Sequence, residues 1–145
     1  MSGVPTGFEP HFRKSPVTDP WEPLYSRRNE RSVDVGLIIG TAHCNARGFA
    51  HGGVLAALAD NAMGLSWHQA RSAAGAASAA GGRGIVTLTL SMDFIASAQT
   101  GQWLQVTPRV LRESGSSGFV DALLSADDRL IARASAVFRA LTSER

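Results

Sequence analysis

Apolar and polar residues alternate over several segments of this chain, and one long segment interrupts the alternation. The alternation first runs from Val33 to Ile39 and stops at Gly40, which predicts a strand. The clearest case places Val86, Leu88, Leu90, Met92 and Phe94 on one side and Thr87, Thr89, Ser91 and Asp93 on the other. Three more strands are predicted at residues 103–112, 119–125 and 130–141.

The interruption, from Gly53 to about Ala70, is rich in Ala and Leu and therefore predicts a helix. On a helical wheel one apolar stripe should face the sheet: Val54, Leu55, Leu58, Ala62 and Leu65. The predicted order is β-α-β-β-β-β. This order indicates an α+β domain in which one long helix covers an antiparallel sheet of about five to six strands.

Three features modify this outline. Residues 1–32 are rich in Pro and turn-forming residues, so we expect an irregular N-terminal leader with one short helical turn. Its aromatic residues, Phe8, Phe12, Trp21 and Tyr25, should pack it onto a single domain at residues 33–145.

Residues 72–82, SAAGAASAAGG, are of low complexity and predict a connector. Pro108 indicates that its strand lies at a sheet edge or carries a bulge.

The composition is that of one soluble globular domain, because 44% of the 145 residues are hydrophobic and 18% are charged. There is no apolar run of membrane-spanning length and no signal-peptide pattern at the N-terminus. Cys44 is the only cysteine, which fits a reducing cytoplasm. The arginines are scattered rather than clustered, which argues against nucleic acid as a partner.

Asp60 is the unusual residue of the predicted helix. The wheel groups it with Gly53, Ala56 and Gly64, whereas a solvated helix face normally carries Lys, Glu and Arg. Small residues at this spacing allow another backbone to approach closely. We therefore expect the same helix of a second subunit to cover this face, in a two-fold homodimer.

Two glycines, Gly52 and Gly53, stand where this helix begins. A helix N-terminus offers free N–H groups and a partial positive charge, which suit a carbonyl oxygen or a phosphate. Asp60 lies eight residues after Gly52, about 12 Å along the axis at 1.5 Å per residue. The two groups of one helix cannot act on a single atom, so a catalytic site would be shared between subunits.

The stretch HCNARGFAHGGVLAALADNAMG, at residues 43–64, and the later stretch GIVTLTLSMDFIASAQTG resemble the acyl-CoA thioesterases of the phenylacetate-degradation (PaaI-like) type. The resemblance is close from His43 to Gly101 and rests on the motif N-A-x-G-x-x-HGG followed by an acid, Asp60, eight residues after the first glycine of HGG. It implies a hotdog fold, an acyl-CoA substrate and a dimer or dimer of dimers. It implies neither a metal nor a cofactor other than the coenzyme A of the substrate.

The resemblance also implies roles for single residues. The Gly52 N–H matches the group that holds the thioester oxygen, and Asn45 matches the amide that orients the carbonyl. Asp60 of the partner subunit would be the nucleophile or the base for water, with Thr87 positioning the water or the carboxylate. His51 would fix the loop. Gly53, Asn61, Arg83 and Thr89 are the candidates for contacting the substrate.

Other interpretations stay open at this point. Asn45 also suits an Asx turn that caps its loop. Gly64 stands where some relatives have a threonine, and Thr89 where they often have an acidic or amide residue. His51 and Asp60 would also suit a hydratase or dehydratase of the same fold. A non-catalytic acyl-CoA binding module is the third possibility, although an unneeded charge on an apolar face is costly.

Overall fold

The computed structural model describes residues 3–75 and 84–141 of the chain. It consists of one long helix and one seven-stranded sheet in the order β1-β2-β3-β5-β6-β7-β4, with every neighbouring pair antiparallel. The strands are β1 (Glu9–Pro10), β2 (Tyr25–Arg28), β3 (Val33–Ile38), β4 (Ile85–Phe94), β5 (Trp103–Arg112), β6 (Ser117–Ala126) and β7 (Arg129–Ala140), and α1 is Gly52–Ala73. The predicted α+β class and the arrangement expected of a hotdog fold are confirmed.

The helix lies against one face of the sheet and forms the core with it. Its buried residues include Val54, Leu55, Leu58 and Ala62, as the wheel predicts, and also Met63 and Trp67. Leu65 is only half-buried, while Gly64 is buried beside Phe138 and Ile85. The prediction that Gly64 belongs to an outer face is therefore wrong, because the buried sector of the helix extends toward β4. In the described part of the chain no helix is long and apolar enough to span a membrane.

The leader is more regular than its sequence predicts. It contributes β1 and β2 to one edge of the sheet, which raises the strand count to seven, and it contains one 3₁₀ turn at Asp19–Trp21. The rings of Phe8 and Tyr25 pack against Trp103, at centroid distances of 5.0 and 6.2 Å. Trp21 packs on the core, but Phe12 stays exposed under the guanidinium of Arg28. Three of the four rings therefore pack on the rest of the domain, and Phe12 does not.

Pro108 does not mark an edge strand, because β5 lies inside the sheet between β3 and β6. The register explains why a proline is tolerated there. The pairing with β3 ends at Val35 opposite Val106, so the second half of β5 is paired only with β6. A register shift in that second pairing lies further along, between Val110 and Arg112.

Trp67 depends on a glycine in the facing strand. Its indole lies flat over Gly118 of β6, and a Cβ built on Gly118 would stand 2.1–2.4 Å from three ring atoms. The indole N–H also donates to the carbonyl oxygen of Arg112 at 3.0 Å, which limits how far the ring can move. The helix can therefore approach β6 this closely only over a residue without a side chain.

We expect Gly118→Ala to lower the free energy of unfolding by about 3 kcal/mol, because the added methyl overpacks a fixed ring. Urea denaturation followed by tryptophan fluorescence measures this. Gly40→Ala is the control, since its Cβ would meet no atom nearer than 3.8 Å. Equal stability of the two variants would contradict the proposed contact.

Candidate active site

Asp60 and Thr87 meet at the β4 side of the helix. The Thr87 hydroxyl donates a hydrogen bond to Asp60 Oδ1 at 2.7 Å. The carboxylate is half-buried and Thr87 is exposed, so the pair lies at the surface of the protomer. Within the described residues no partner is found for Asp60 Oδ2. One oxygen of the carboxylate is therefore held by a hydrogen bond, and the other is not.

A bulge in β4 brings Thr87 to this position. Thr87 pairs with Phe138 and Thr89 pairs with Val137, so Leu88 is the extra residue. Phe138 packs on the helix residue Trp67, and Thr87 therefore faces the helix as well. A regular strand would place Thr87 and Thr89 on the same face, as the alternation predicts. The bulge instead turns Thr87 toward Asp60 and leaves Thr89 on the outer face of the sheet.

The N-terminus of the helix is capped by His51. Its Nδ1 accepts a hydrogen bond from the Gly53 N–H at 2.8 Å, so this ring nitrogen is unprotonated. Among the described residues the Gly52 N–H has no partner. The two glycines therefore have different roles, since one binds the cap and the other keeps a free donor at the positive end of the helix.

The loop before the helix is held by side chains. Asn45 Oδ1 accepts from the backbone N–H groups of Arg47 and Phe49, at 2.9 and 3.1 Å. This geometry shows the Asx-type loop cap that the sequence left open for Asn45. The Nδ2 atom has no partner within the described chain, so the same side chain retains a donor that the loop does not use.

A second histidine, His43, connects the leader to this loop. Its buried ring accepts from the Gly40 N–H at Nδ1 and donates to the carbonyl oxygen of Trp21 from Nε2, at 2.8 and 2.9 Å. Its own carbonyl oxygen accepts from the His51 N–H at 2.8 Å. The leader thus braces the residue that caps the helix, a connection for which the sequence contains no periodic signal.

Of the remaining substrate-contact candidates, Asn61 does not join this cluster. Asn61 is half-buried with its Oδ1 unpaired in the described residues, and it lies by the leader's His11. Burial lowers the pKa of the His11 imidazole, and Asn61 opposes this shift in part. Arg83 lies outside the described residues.

The site is divided along the helix. Gly52, Asn45 and His51 lie at its N-terminus, and Asp60 with Thr87 lies eight residues further along. The separation is about 12 Å at 1.5 Å per residue. A single chain therefore has hydrogen-bond donors at the helix N-terminus and a carboxylate about 12 Å away. These two groups cannot contact the same substrate atom.

We expect His51→Ala to lower the free energy of unfolding by about 1 kcal/mol, because the Gly53 N–H loses its acceptor. His51→Asn should restore most of the loss, since an asparagine side chain at the same position can accept from that N–H. Thermal unfolding of the three proteins measures this. If the asparagine variant is no more stable than the alanine variant, the imidazole is not acting as a cap.

Comparison of the sequence with known proteins gives two results. Residues 47–133 match the thioesterase superfamily. The chain is 40% identical to PA0474 of Pseudomonas aeruginosa, provisionally named an esterase, over 95% of this chain and 98% of that protein.

Two solved structures share the fold. The Streptococcus mutans protein smu.793, bound to acetyl-CoA, has a TM-score of 0.71 and 22% identity, covering 86% of this chain and 94% of that one. The Escherichia coli PaaI protein, from the phenylacetic acid degradation operon, has a TM-score of 0.69 and 18% identity, covering 83% and 80%.

Proposed function

This chain belongs to the thioesterase superfamily, and we propose that it hydrolyses acyl-CoA thioesters to a free acid and coenzyme A in a site shared by two subunits. The observation that carries the proposal is the hydrogen bond from Thr87 to Asp60, which orients a carboxylate beside an apolar strand. The acetyl-CoA bound to the similar smu.793 protein supports an acyl-CoA substrate.

The donors at the helix N-terminus fit the first requirement of thioester hydrolysis. Attack on the carbonyl carbon places negative charge on its oxygen, and preorganised donors stabilise that charge by several kcal/mol. The Gly52 N–H and Asn45 Nδ2 are two donors of this loop that have no partner within residues 3–75 and 84–141. In the proposed reaction both point to the thioester oxygen, and the helix N-terminus adds its partial positive charge.

Asp60 of the partner subunit supplies the attacking oxygen or activates water. The Thr87 hydroxyl holds Oδ1 and leaves Oδ2 free to attack the carbonyl carbon or to take a proton from water. Attack by Oδ2 would form an acyl-carboxylate anhydride that water then hydrolyses, whereas the general-base route adds water directly. Both routes expel the thiolate of coenzyme A, which leaves as a thiol after protonation.

The hydratase alternative needs His51 as an acid and base. In this structure His51 Nδ1 is already the acceptor for the Gly53 N–H, so a neutral ring carries its proton on Nε2 and has no ring nitrogen free to take a proton from a substrate. The binding-module alternative leaves the oriented carboxylate without a use. The geometry therefore supports hydrolysis better than either alternative.

We expect Asp60→Asn to reduce turnover by about 10²- to 10⁴-fold, the range of general acid–base catalysis, with acyl-CoA binding retained. Free-thiol release from aryl-, short- and medium-chain acyl-CoAs measures turnover, and calorimetry with the same ligands measures binding. Asp128→Asn, in the exposed turn before β7, is the matched control. Full activity of the Asp60 variant, or thiol release from no substrate by the wild type, would overturn the proposal.

The free edge of the sheet supports the homodimer. One edge is the two-residue strand β1, but the other is the ten-residue strand β4. This second edge exposes large apolar side chains: Val86, Leu88, Leu90 and Phe94, with Ile95 just beyond. A long apolar edge strand is normally covered, because its backbone is open to pairing. We propose that β4 of a second copy covers it, antiparallel to the first.

The positions of the two half-sites predict the register of this pair. Phe94 lies against Gly52, and Thr87 lies against Asp60. Phe94 therefore marks the Gly52 half-site on β4, and Thr87 marks the Asp60 half-site. A shared site brings the Gly52 half-site of one subunit beside the Asp60 half-site of the other, so Phe94 of one subunit must lie opposite Thr87 of the other. Directly opposed residues point to the same face of a sheet. With the bulge at Leu88 included, the register that satisfies both conditions places Ser91 on the two-fold axis.

We expect Ser91→Cys, in a Cys44→Ser background, to form a disulfide between subunits on mild oxidation, because opposed antiparallel residues are about 5 Å apart. Thr89→Cys is the control. In the proposed register the Thr89 residues of the two subunits lie four positions apart along the paired strands, which is about 13 Å at 3.3 Å per residue. Non-reducing electrophoresis distinguishes them, and cross-linking of the Thr89 variant alone would contradict this register.

The outer face of the sheet offers a second contact. A groove of about 650 Å³ there is lined by two cross-strand ion pairs and by apolar Leu123. The pairs are Arg109 with Asp121 at 3.9 Å and Arg133 with Asp93 at 2.8 Å. A surface that carries both charges can be complementary to its own copy. We propose that dimers associate through this face into a dimer of dimers.

A further inference from the structure

The ring of Phe94 stands over the helix N-terminus. A Cβ built on Gly52 would lie 3.2, 3.4 and 3.7 Å from three carbons of this ring. The ring therefore lines the space that a side chain at Gly52 would occupy, next to the backbone that carries the free N–H. Phe94 is nevertheless 57% exposed, because it lies on the open edge strand.

The sheet holds Phe94 in this position. It pairs with Ala132, which is fully buried, and so it points to the helix side of the sheet. The chain leaves the strand immediately afterwards, where the N–H groups of Ile95 and Ala96 both donate to the carbonyl oxygen of Ile131, at 2.8 and 3.1 Å. The backbone on both sides of the ring is therefore anchored.

Any acyl group whose carbonyl oxygen binds the Gly52 N–H must lie close to this ring. The oxygen would be about 2.9 Å from the nitrogen. The carbon next to the carbonyl, the α-carbon, is within roughly 2.5 Å of that oxygen by standard bond lengths. A substituent on the α-carbon can then reach the ring, whereas a substituent further along an acyl chain can point away from it.

We infer that Phe94 is a specificity-determining residue that limits the bulk on the α-carbon of the acyl group. The substrate class is then acyl-CoA with an unbranched CH₂ next to the thioester carbonyl. This inference rests on the proposed thioesterase function. Leu90 and Met92, on the same face of β4, extend the apolar wall from Phe94 toward the Thr87 end of the strand.

The experiment compares kcat/KM for butyryl-CoA and for isobutyryl-CoA, which differ in branching at the α-carbon. The wild type should prefer butyryl-CoA. Phe94→Ala should raise the ratio of isobutyryl-CoA to butyryl-CoA kcat/KM by about 10-fold or more, the discrimination that one methyl group supplies in an apolar pocket. Phe94→Leu should give an intermediate ratio. Phe119→Ala is the matched control, because Phe119 is 39% exposed on the outer face of the sheet and should leave the ratio unchanged.

A ratio that stays within twofold of the wild-type value in both Phe94 variants would overturn the inference, as would an equal shift in the Phe119 variant. If Phe94→Ala fails to fold, the ratio in Phe94→Leu decides the matter by the same criterion. Failure of the inference alone leaves wild-type thiol release and its dependence on Asp60 intact. Absence of thiol release from both substrates in the wild type would overturn the proposed function and the inference together.

Discussion

The fixed distance between Gly52 and Asp60 on one helix is the constraint on which the proposed function depends. Hydrogen bonds between successive turns set the rise per residue, so the free N–H and the carboxylate are held about 12 Å apart. No side-chain rotation closes this gap. The proposed thioesterase site therefore needs two helices, and in the proposed homodimer each protomer carries one half of each of two sites. The proposed pairing of the two copies would also cover the apolar edge of β4.

Asn45 and Asp60 each use one atom of the side chain for support and have no partner at the other atom within the described residues. Asn45 binds its loop through Oδ1 and keeps Nδ2, and Asp60 is held at Oδ1 and keeps Oδ2. At the helix N-terminus, His51 takes the Gly53 N–H and leaves that of Gly52. Groups fixed in this way need little reorganisation when charge develops on the substrate, which is the main source of electrostatic catalysis.

Sequence patterns predicted the long elements well and the local irregularities poorly. The helix and the strands β3 to β7 are long enough for the periodic spacing of their apolar residues to be recognised in the sequence. The leader strands β1 and β2 are two and four residues long and lie among prolines, so periodicity could not reveal them. The orientation of Gly64 was missed because a wheel gives angles within the helix but not the direction from which β4 approaches.

The amino-acid sequence by itself determined the fold class, the helix with its glycine start, and the family resemblance that pointed to Asn45, Gly52, Asp60 and Thr87. These follow from local periodicity and from residue order, which are properties of the chain alone. Only the tertiary structure decided that Thr87 faces Asp60, because the bulge at Leu88 arises from pairing with β7. It also decided that the Phe94 ring covers Gly52, since that contact joins residues more than forty positions apart. Contacts of this kind depend on how strands register and how a helix lies across them, and no single segment encodes that.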